Sequence, residues 1–252
     1  MRRTELDRYL REYLRLDAFD DDALNGLQVE GGDEVRKAAF AVSACQEAFE
    51  RAAGAEADAL VVHHGLLWKG RGAEPVVGAL AARLRALLVP QLSLFAYHLP
   101  LDAHAEVGNN AVAARALGLE ALAPFGDYHG MKLGWKGAFP GPRARSEVVA
   151  ALEGYYGHRA MLVPGGPEAV RTVGLVSGGA AKEAVQAARE GLDLYVTGES
   201  AEPVTYLCRE LGLNFAALGH YATERAGVKA LAGHVAGALG IETLFVELEN
   251  EA

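Results

Sequence analysis

The sequence predicts an α/β protein made of two similar units, each built around a mostly parallel sheet. Short apolar runs that suit strands alternate with longer segments whose apolar residues recur at helical spacing. This strand–helix order runs through the first half of the chain and returns in the second half. With 252 residues, 51% of them hydrophobic and 23% charged, the chain has the length and composition of one large globular domain or two smaller ones.

Charge and composition argue against several broad classes of function. The net charge of −9 disfavours non-specific nucleic-acid binding over the whole surface, although it is compatible with a local basic patch. The longest uncharged stretch, Ala86–Leu101, is shorter than a membrane span, and no apolar segment follows the basic N-terminus as in a signal peptide. We therefore expect a cytoplasmic protein without a membrane partner. Cys45 and Cys208 are too few for a disulfide framework or a thiolate zinc site, so a bound metal would depend on histidine and carboxylate.

The first unit begins with a helix and continues as alternating strands and helices. Thr4 has the hydroxyl of a helix cap, Asp7 follows three residues later, and apolar residues at helical spacing come next. An Asn25-Gly26 turn ends this segment. Strands are predicted over residues 38–42, 60–62 and 92–97, and helices over residues 46–53, 76–88 and 107–117.

The second unit starts with a segment of weaker pattern. Between Pro124 and Pro167, glycines and prolines interrupt the apolar spacing, which favours short strands and one helix near 146–152. We place a domain junction near Pro124, and a strand is predicted again over 170–176. The expected units are residues 1–124 and 125–252, with residues 219–252 packing back on the first unit.

Three segments of the first half have counterparts in the second half. Ala39–Ser43 matches Val173–Ser177, and Asp58–His64 matches Asp193–Glu199. His98–Asp102 matches His220–Glu224 at an offset of 122 residues, which persists from Ala116–Glu120 to Ala238–Glu242. Strand–helix units can look alike by chance, and Ala-Leu-Gly is a common helix ending. A histidine followed four residues later by a carboxylate in both copies favours a true internal repeat.

The adjacent pair His63 and His64 follows the apolar run Leu60–Val62, at the expected C-terminal end of a buried strand. Open α/β sheets bind their ligands at such ends. For an isolated pair, one packed and one exposed histidine is the favoured interpretation. A metal site therefore depends on other groups that follow strands and could converge on the pair, namely His98, Asp102, His220 and Glu224, with Glu199 nearby in the repeat.

Imidazole and carboxylate without thiolate suit zinc, manganese, iron, cobalt or nickel, and they do not exclude magnesium. Bridging carboxylates can hold two ions about 3.5–4 Å apart, an arrangement used to activate water in hydrolysis. Pro100 predicts a loop between His98 and Asp102. The second copy is compatible with the start of a helix, with His220 and Glu224 on one face.

Four motifs occur in order: Asn25–Val29, Val62–Gly65, His98–Asp102 and Gly219–Glu224. In this order they resemble the NIF-three-like family of dinuclear metal proteins, whose members carry the name GTP cyclohydrolase 1 type 2 homologue. The resemblance implies α/β subunits in a toroidal homohexamer, with two metal ions per subunit facing an internal cavity. It also implies a metal site between the two units, with direct ligation by His63, His64, Asp102, His220 and Glu224 and with His98 beside the metals.

Together, the residues and the resemblance predict a metal-dependent hydrolase of a small nucleotide-like or phosphorylated substrate, in which Glu199 or His98 moves protons. The alternative is a non-catalytic metal-binding ring that acts as a scaffold or regulator. Nucleic acid threaded through such a ring is disfavoured by the acidic charge.

Other residues carry weaker interpretations. Ser177–Gly179, after a strand, would suit a phosphate cradle, but a plain turn is favoured. Besides moving protons, Glu199 could accept a hydrogen bond near a metal-bound water, and its alternatives are a surface position or a helix start. Trp68 and Trp135 could line a cavity, but a position in the core is favoured. The remaining histidines have no partner pattern and are expected to be structural or exposed: His104, His129, His158 and His234.

Overall fold

The computed structural model describes residues 1–70, 72 and 74–250, which form two compact units. The first unit comprises Met1–Leu101 together with Val228–Glu249, and the second comprises Asp102–Gly227 and Asn250. Each contains one sheet and its helices, which confirms an α/β fold of two units. The chain passes from the first unit to the second at Leu101–Asp102, whereas Pro124, the expected junction, lies inside a strand.

Nine α-helices and eleven strands are assigned within the described residues. The helices are α1 (Arg3–Tyr13), α2 (Gln46–Gly54), α3 (Gly78–Leu88), α4 (Leu99–Ala103), α5 (Asn109–Ala116), α6 (Arg145–Tyr156), α7 (Ala184–Arg189), α8 (Glu202–Leu211) and α9 (His220–Leu239). The strands are β1 (Gly26–Val29), β2 (Lys37–Ser43), β3 (Ala59–His64), β4 (Ser93–Ala96), β5 (Glu120–Tyr128), β6 (Met131–Ala144), β7 (Met161–Pro164), β8 (Ala169–Leu175), β9 (Leu194–Thr197), β10 (Asn214–Ala217) and β11 (Glu242–Phe245).

The first unit contains a five-stranded sheet in the order β1-β4-β3-β2-β11. Strands β4, β3, β2 and β11 run parallel, and only the edge strand β1 pairs antiparallel, with β4. Strand β3 is buried along Ala59–His63, because its alanine, leucine and valine side chains suit a sheet covered on both faces. The mostly parallel sheet expected for this unit is confirmed.

The second unit contains a six-stranded sheet in the order β5-β6-β8-β9-β10-β7. Its centre, β8-β9-β10, is parallel, whereas the pairs β5-β6, β6-β8 and β10-β7 are antiparallel. This sheet is therefore mixed rather than mostly parallel. One reason is that only His129 and Gly130, both with positive φ (50° and 81°), join β5 to β6, and a two-residue loop of this kind joins antiparallel strands.

Most elements predicted from the sequence are confirmed to within two residues at each end, and two differ in an informative way. Helix α6 continues one turn beyond its expected end, until Gly157 closes it in the left-handed conformation (φ 65°). The expected loop between His98 and Asp102 is wrong, because this segment forms helix α4. Pro100 lies in the first turn of α4, where its missing N–H breaks no hydrogen bond.

No helix among residues 1–70, 72 and 74–250 combines the length and apolar character needed to cross a bilayer.

Candidate metal centre

Strand β3 ends in the histidine pair of the first unit. His63 is completely buried and His64 is half-buried, and their ring centroids lie 4.7 Å apart. The Nδ1 atom of His63 lies 2.9 Å from the carbonyl oxygen of Tyr97. Because a carbonyl oxygen only accepts, Nδ1 carries the proton, and the lone pair that can coordinate a metal is on Nε2. The Nδ1 atom of His64 lies 3.3 Å from Oγ of Ser43.

His98 adds a third imidazole to this pair. It follows the end of β4, and its ring centroid lies 5.1 Å from that of His63 and 5.6 Å from that of His64. Each ring offers one nitrogen, and these three nitrogens lie within 4.8 Å of one another. Three imidazoles at the C-terminal ends of parallel strands form a donor set typical of zinc and related cations.

Trp68 is half-buried and lies against these histidines, so it lines the histidine cluster rather than filling the core as favoured from the sequence. Its ring centroid is 5.2 Å from that of His98 and 6.4 Å from that of His64. The indole Nε1–H donates to the carbonyl oxygen of Gly65 at 3.0 Å, which fixes the ring. Trp135, in the second unit, is also only partly buried.

Asp21 contacts His98, and sequence reasoning missed it. Its Oδ1 lies 2.9 Å from Nδ1 of His98. Burial opposes ionisation of Asp21, but the hydrogen bond and charge of His98, with hydrogen bonds from Asn25 and Ala23, outweigh burial and lower the pKa of Asp21 to about 2. Asp21 is therefore a carboxylate at neutral pH.

In the second unit, helix α9 begins at His220 and carries Glu224 one turn later. The Nε2 atom of His220 lies 3.1 Å from Oε1 of Glu224, and its Nδ1 lies 2.6 Å from Oε1 of Glu199. The hydrogen bond to Glu224 is the largest cause that raises the pKa of His220 to about 9; burial opposes it, and the charge of Glu224 and the bond to Glu199 add to it. A metal at Nε2 would replace the proton there, while Glu199 would still hold Nδ1.

Glu199 follows the end of β9, and its side chain is 54% exposed. It nevertheless accepts the Nδ1–H of His220, so its surface position includes a specific contact. A carboxylate on the outer nitrogen of a metal-site histidine fixes the orientation of the ring. The helix start that the sequence also allowed is not formed by Glu199, because α8 begins at Glu202.

Asp102 is buried at the C-terminal part of α4. Its Oδ1 accepts hydrogen bonds from Nδ2 of Asn109 at 2.9 Å and from Oγ of Ser177 at 2.8 Å. Asn109 is completely buried, and its Oδ1 accepts the N–H of Gly227 in α9 at 2.7 Å. Asn109 thus connects the carboxylate of Asp102 to helix α9. Sequence reasoning missed it because it looks like an ordinary first residue of a helix.

The turn Ser177–Gly179 packs against the pair formed by His220 and Glu224. Gly178 has φ of 67°, and a Cβ at this position would lie 2.5 Å from Oε1 of Glu224. The N–H of Gly178 donates to Oγ1 of Thr223 at 3.1 Å, so this group bonds within the protein. A plain turn is therefore favoured over a phosphate cradle.

The other four histidines have structural or surface positions. His104 accepts the N–H of Val107 through Nδ1 at 3.2 Å. His234 stacks on Tyr13 with 3.9 Å between ring centroids. His129 lies in the exposed hairpin loop, and His158 packs against Gly219.

The chain is similar to known proteins in sequence and in fold. The sequence profile of Duf34/NIF3 (NGG1p interacting factor 3) matches residues 1–252. The chain belongs to the Duf34/NIF3 family. A relative from Archaeoglobus fulgidus, named GTP cyclohydrolase 1 type 2 homolog, is 42% identical over 248 residues, which cover 98% of each chain.

Solved structures extend the Duf34/NIF3 similarity to the whole fold. Protein ybgI, a structural-genomics protein of unknown function, has a TM-score of 0.93 at 37% identity, with 100% of both chains covered. TTHA1606 from Thermus thermophilus has a TM-score of 0.91 at 42% identity, also with 100% coverage of both chains. The family resemblance carried by the four motifs is therefore confirmed.

Proposed function

We propose that this Duf34/NIF3 protein is a metal-dependent hydrolase that holds two divalent ions with five nitrogen and oxygen donors: His63, His64, Asp102, His220 and Glu224. The name GTP cyclohydrolase 1 type 2 homolog, which its relatives carry, favours a small nucleotide-like or phosphorylated substrate. The observation that carries the proposal is the pair of ligand nitrogens of His63 and His64 at the end of β3, which lie within 4.8 Å of each other and of a nitrogen of His98, the proposed proton carrier.

The donors fit such ions in protonation and in burial. The Nδ1 atoms of His63 and His220 face oxygen acceptors, so Nε2 is the nitrogen that each ring presents to a metal. Asp102 and Glu224 are buried carboxylates, and burial of negative charge is costly unless a positive charge compensates it. Beside Glu224 that charge is the protonated His220, and a divalent cation at Nε2 would take the place of its proton. This donor set suits zinc, manganese, iron, cobalt or nickel.

We infer that the donors of the two units serve the same pair of ions. The first support is the position of His98, whose ring lies beside those of His63 and His64. Only one turn of helix α4 separates His98 from Asp102 along the chain. The second support is the repeat, which gives each unit a histidine followed four residues later by a carboxylate.

When bound, the ions would lower the pKa of water and polarise the bond to be cleaved. His98 moves the proton in this scheme, because its Nδ1–H is held by Asp21 and its Nε2 can accept a proton from the attacking water and return it to the leaving group. Glu199, also expected to act on protons, is better supported as the residue that orients His220 through Nδ1.

We also propose that the chains assemble as a homohexamer in the cytoplasm, as the resemblance implies. The substrate is then a small molecule rather than nucleic acid, because the net charge of −9 disfavours a polyanionic partner.

Metal-dependent turnover tests the proposed function. Protein assayed with nucleotides, phosphoesters and cyclic amides, each with Mn²⁺, Zn²⁺ or Mg²⁺, is expected to hydrolyse at least one class. His98→Gln is expected to lower kcat by about 10²–10⁴-fold but to retain bound metal, because His98 transfers a proton and is not a ligand. Glu224→Ala is expected to lose both turnover and metal.

A blank panel with metal-loaded wild-type protein would contradict the hydrolase. That result would favour the alternative of a metal-binding scaffold or regulator without turnover.

A further inference from the structure

Asp21 makes more hydrogen bonds than the turn that contains it requires. It lies between α1 and β1 and is only 3% exposed. Its Oδ1 accepts from the N–H of Ala23 at 3.0 Å and from Nδ1 of His98 at 2.9 Å. Its Oδ2 accepts from the amide of Asn25 at 2.9 Å and from the N–H of Leu99 at 3.0 Å. Four donors on two oxygens hold the carboxylate in one orientation.

The bond to His98 fixes which ring nitrogen carries the proton. A carboxylate only accepts, so Nδ1 donates, and the lone pair of the neutral ring is on Nε2. The backbone N–H of His98 also donates to Oδ1 of Asn25 at 2.8 Å, and Trp68 meets the imidazole edge-on. The ring is therefore restrained on the backbone side, at Nδ1 and at one edge.

The second unit contains the same arrangement. The internal repeat aligns His98 with His220, and His220 has its Nδ1 on the carboxylate of Glu199 at 2.6 Å. Asp21 precedes β1, whereas Glu199 follows β9, so the two carboxylates come from positions that the repeat does not align. The two histidines are aligned by the repeat, but the carboxylates that hold their Nδ1 atoms come from unrelated positions. This indicates that fixing the orientation and the protonated nitrogen of the ring serves the function of the site.

We propose that Asp21 is a positioning residue that fixes His98 as the tautomer protonated at Nδ1, with its lone pair on Nε2. Asp21 acts through His98 and does not contact the substrate. Its effect on turnover rests on the proposed function, whereas the tautomer is a property of the chain itself. Loss of Asp21 is expected to lower kcat by about 10–100-fold, by analogy with the loss in activity when a partner that orients a metal-bound histidine is removed.

Nitrogen-15 NMR of the full-length, Zn²⁺-loaded chain with labelled histidine rings tests the proposal without an activity assay. The wild-type spectrum is expected to show a proton on Nδ1 of His98, in a signal identified by its absence in His98→Gln. Asp21→Asn is expected to move that proton to Nε2, because the new amide can donate to Nδ1. The amount of bound Zn²⁺ is expected to stay within about threefold of the wild-type amount, because His98 is not a ligand. Loss of a residue that orients a metal ligand would lower metal affinity by roughly 10–100-fold.

Asp58→Asn is the matched control. Oδ2 of Asp58 accepts from the N–H groups of Arg36 and Lys37 at 2.8 Å and 3.1 Å, just before the N-terminal end of β3. This variant also weakens carboxylate–backbone bonds, but it is expected to leave the His98 signal unchanged.

A wild-type spectrum with His98 protonated only at Nε2 would overturn the proposal, as would an unchanged His98 signal in Asp21→Asn. If Asp21→Asn does not fold, the wild-type spectrum decides alone. The expected tautomers without turnover of any substrate would support the role of Asp21 and overturn the hydrolase instead.

Discussion

His63→Ala protein is expected to lose its divalent metal. Its affinity for Zn²⁺ should fall by more than the roughly 10–100-fold that follows loss of a residue that only orients a metal ligand. His63 is completely buried, and the carbonyl oxygen of Tyr97 holds its Nδ1, which leaves Nε2 as the coordinating nitrogen. Alanine removes that donor. Metal content after dialysis against buffered Zn²⁺, measured by inductively coupled plasma mass spectrometry, gives the readout.

The matched control for this variant is His129→Asn. His129 is exposed in the loop between β5 and β6, and asparagine tolerates its positive φ of 50°. This variant should keep the wild-type metal content. Retention of the same zinc by His63→Ala would contradict the assignment of His63 as a ligand.

Gly178→Ala is expected to lower the affinity for Zn²⁺ by about 10–100-fold, although it removes no proposed ligand. The added Cβ would lie 2.5 Å from Oε1 of Glu224 and 3.2 Å from Nε2 of His220. The end of the Glu224 side chain can move more easily than the backbone. The carboxylate should therefore leave its place beside His220, where it now lies 3.1 Å from Nε2. Isothermal titration with Zn²⁺ measures the change.

Gly191→Ala separates this effect from backbone strain. Gly191 has φ of 69°, close to the 67° of Gly178, but a Cβ there would meet no atom of the described residues within 4 Å apart from its chain neighbours. Both variants should lose about 1–2 kcal/mol of unfolding free energy because of the positive φ. Only Gly178→Ala should bind zinc more weakly, and equal zinc affinities in the two variants would refute the steric argument.

The strand and the helix that carry the proposed ligands could be predicted, because both follow from local sequence patterns. The apolar run before His63 and His64 forms β3, and the spacing of His220 and Glu224 places them one turn apart at the start of α9. The repeat also holds at this level, since Asp102 lies on a helix after His98 as Glu224 does after His220. The loop predicted at Pro100 is wrong because the effect of a proline depends on its position in a helix, and the first turn tolerates it.

Asp21 and Asn109, which hold His98 and Asp102 in place, could not be predicted, because each contacts residues that are distant in sequence. Asp21 and His98 are 77 residues apart, and Asn109 and Gly227 are 118 apart. Neither pair follows a helical or strand spacing, so the local pattern of the sequence does not connect the two residues of either pair. The mixed pairing of the second sheet was missed for a different reason. Glycines and prolines obscure the alternation of apolar residues in the strands on either side of the His129-Gly130 hairpin.

Native mass spectrometry of the full chain, purified without chelator and incubated with Zn²⁺ or Mn²⁺, tests the central claim most directly because it counts chains and ions together. The account predicts two divalent ions for each 26.6 kDa chain, in an assembly of six chains. Chains that carry no divalent ion under these conditions would contradict the dinuclear metal centre.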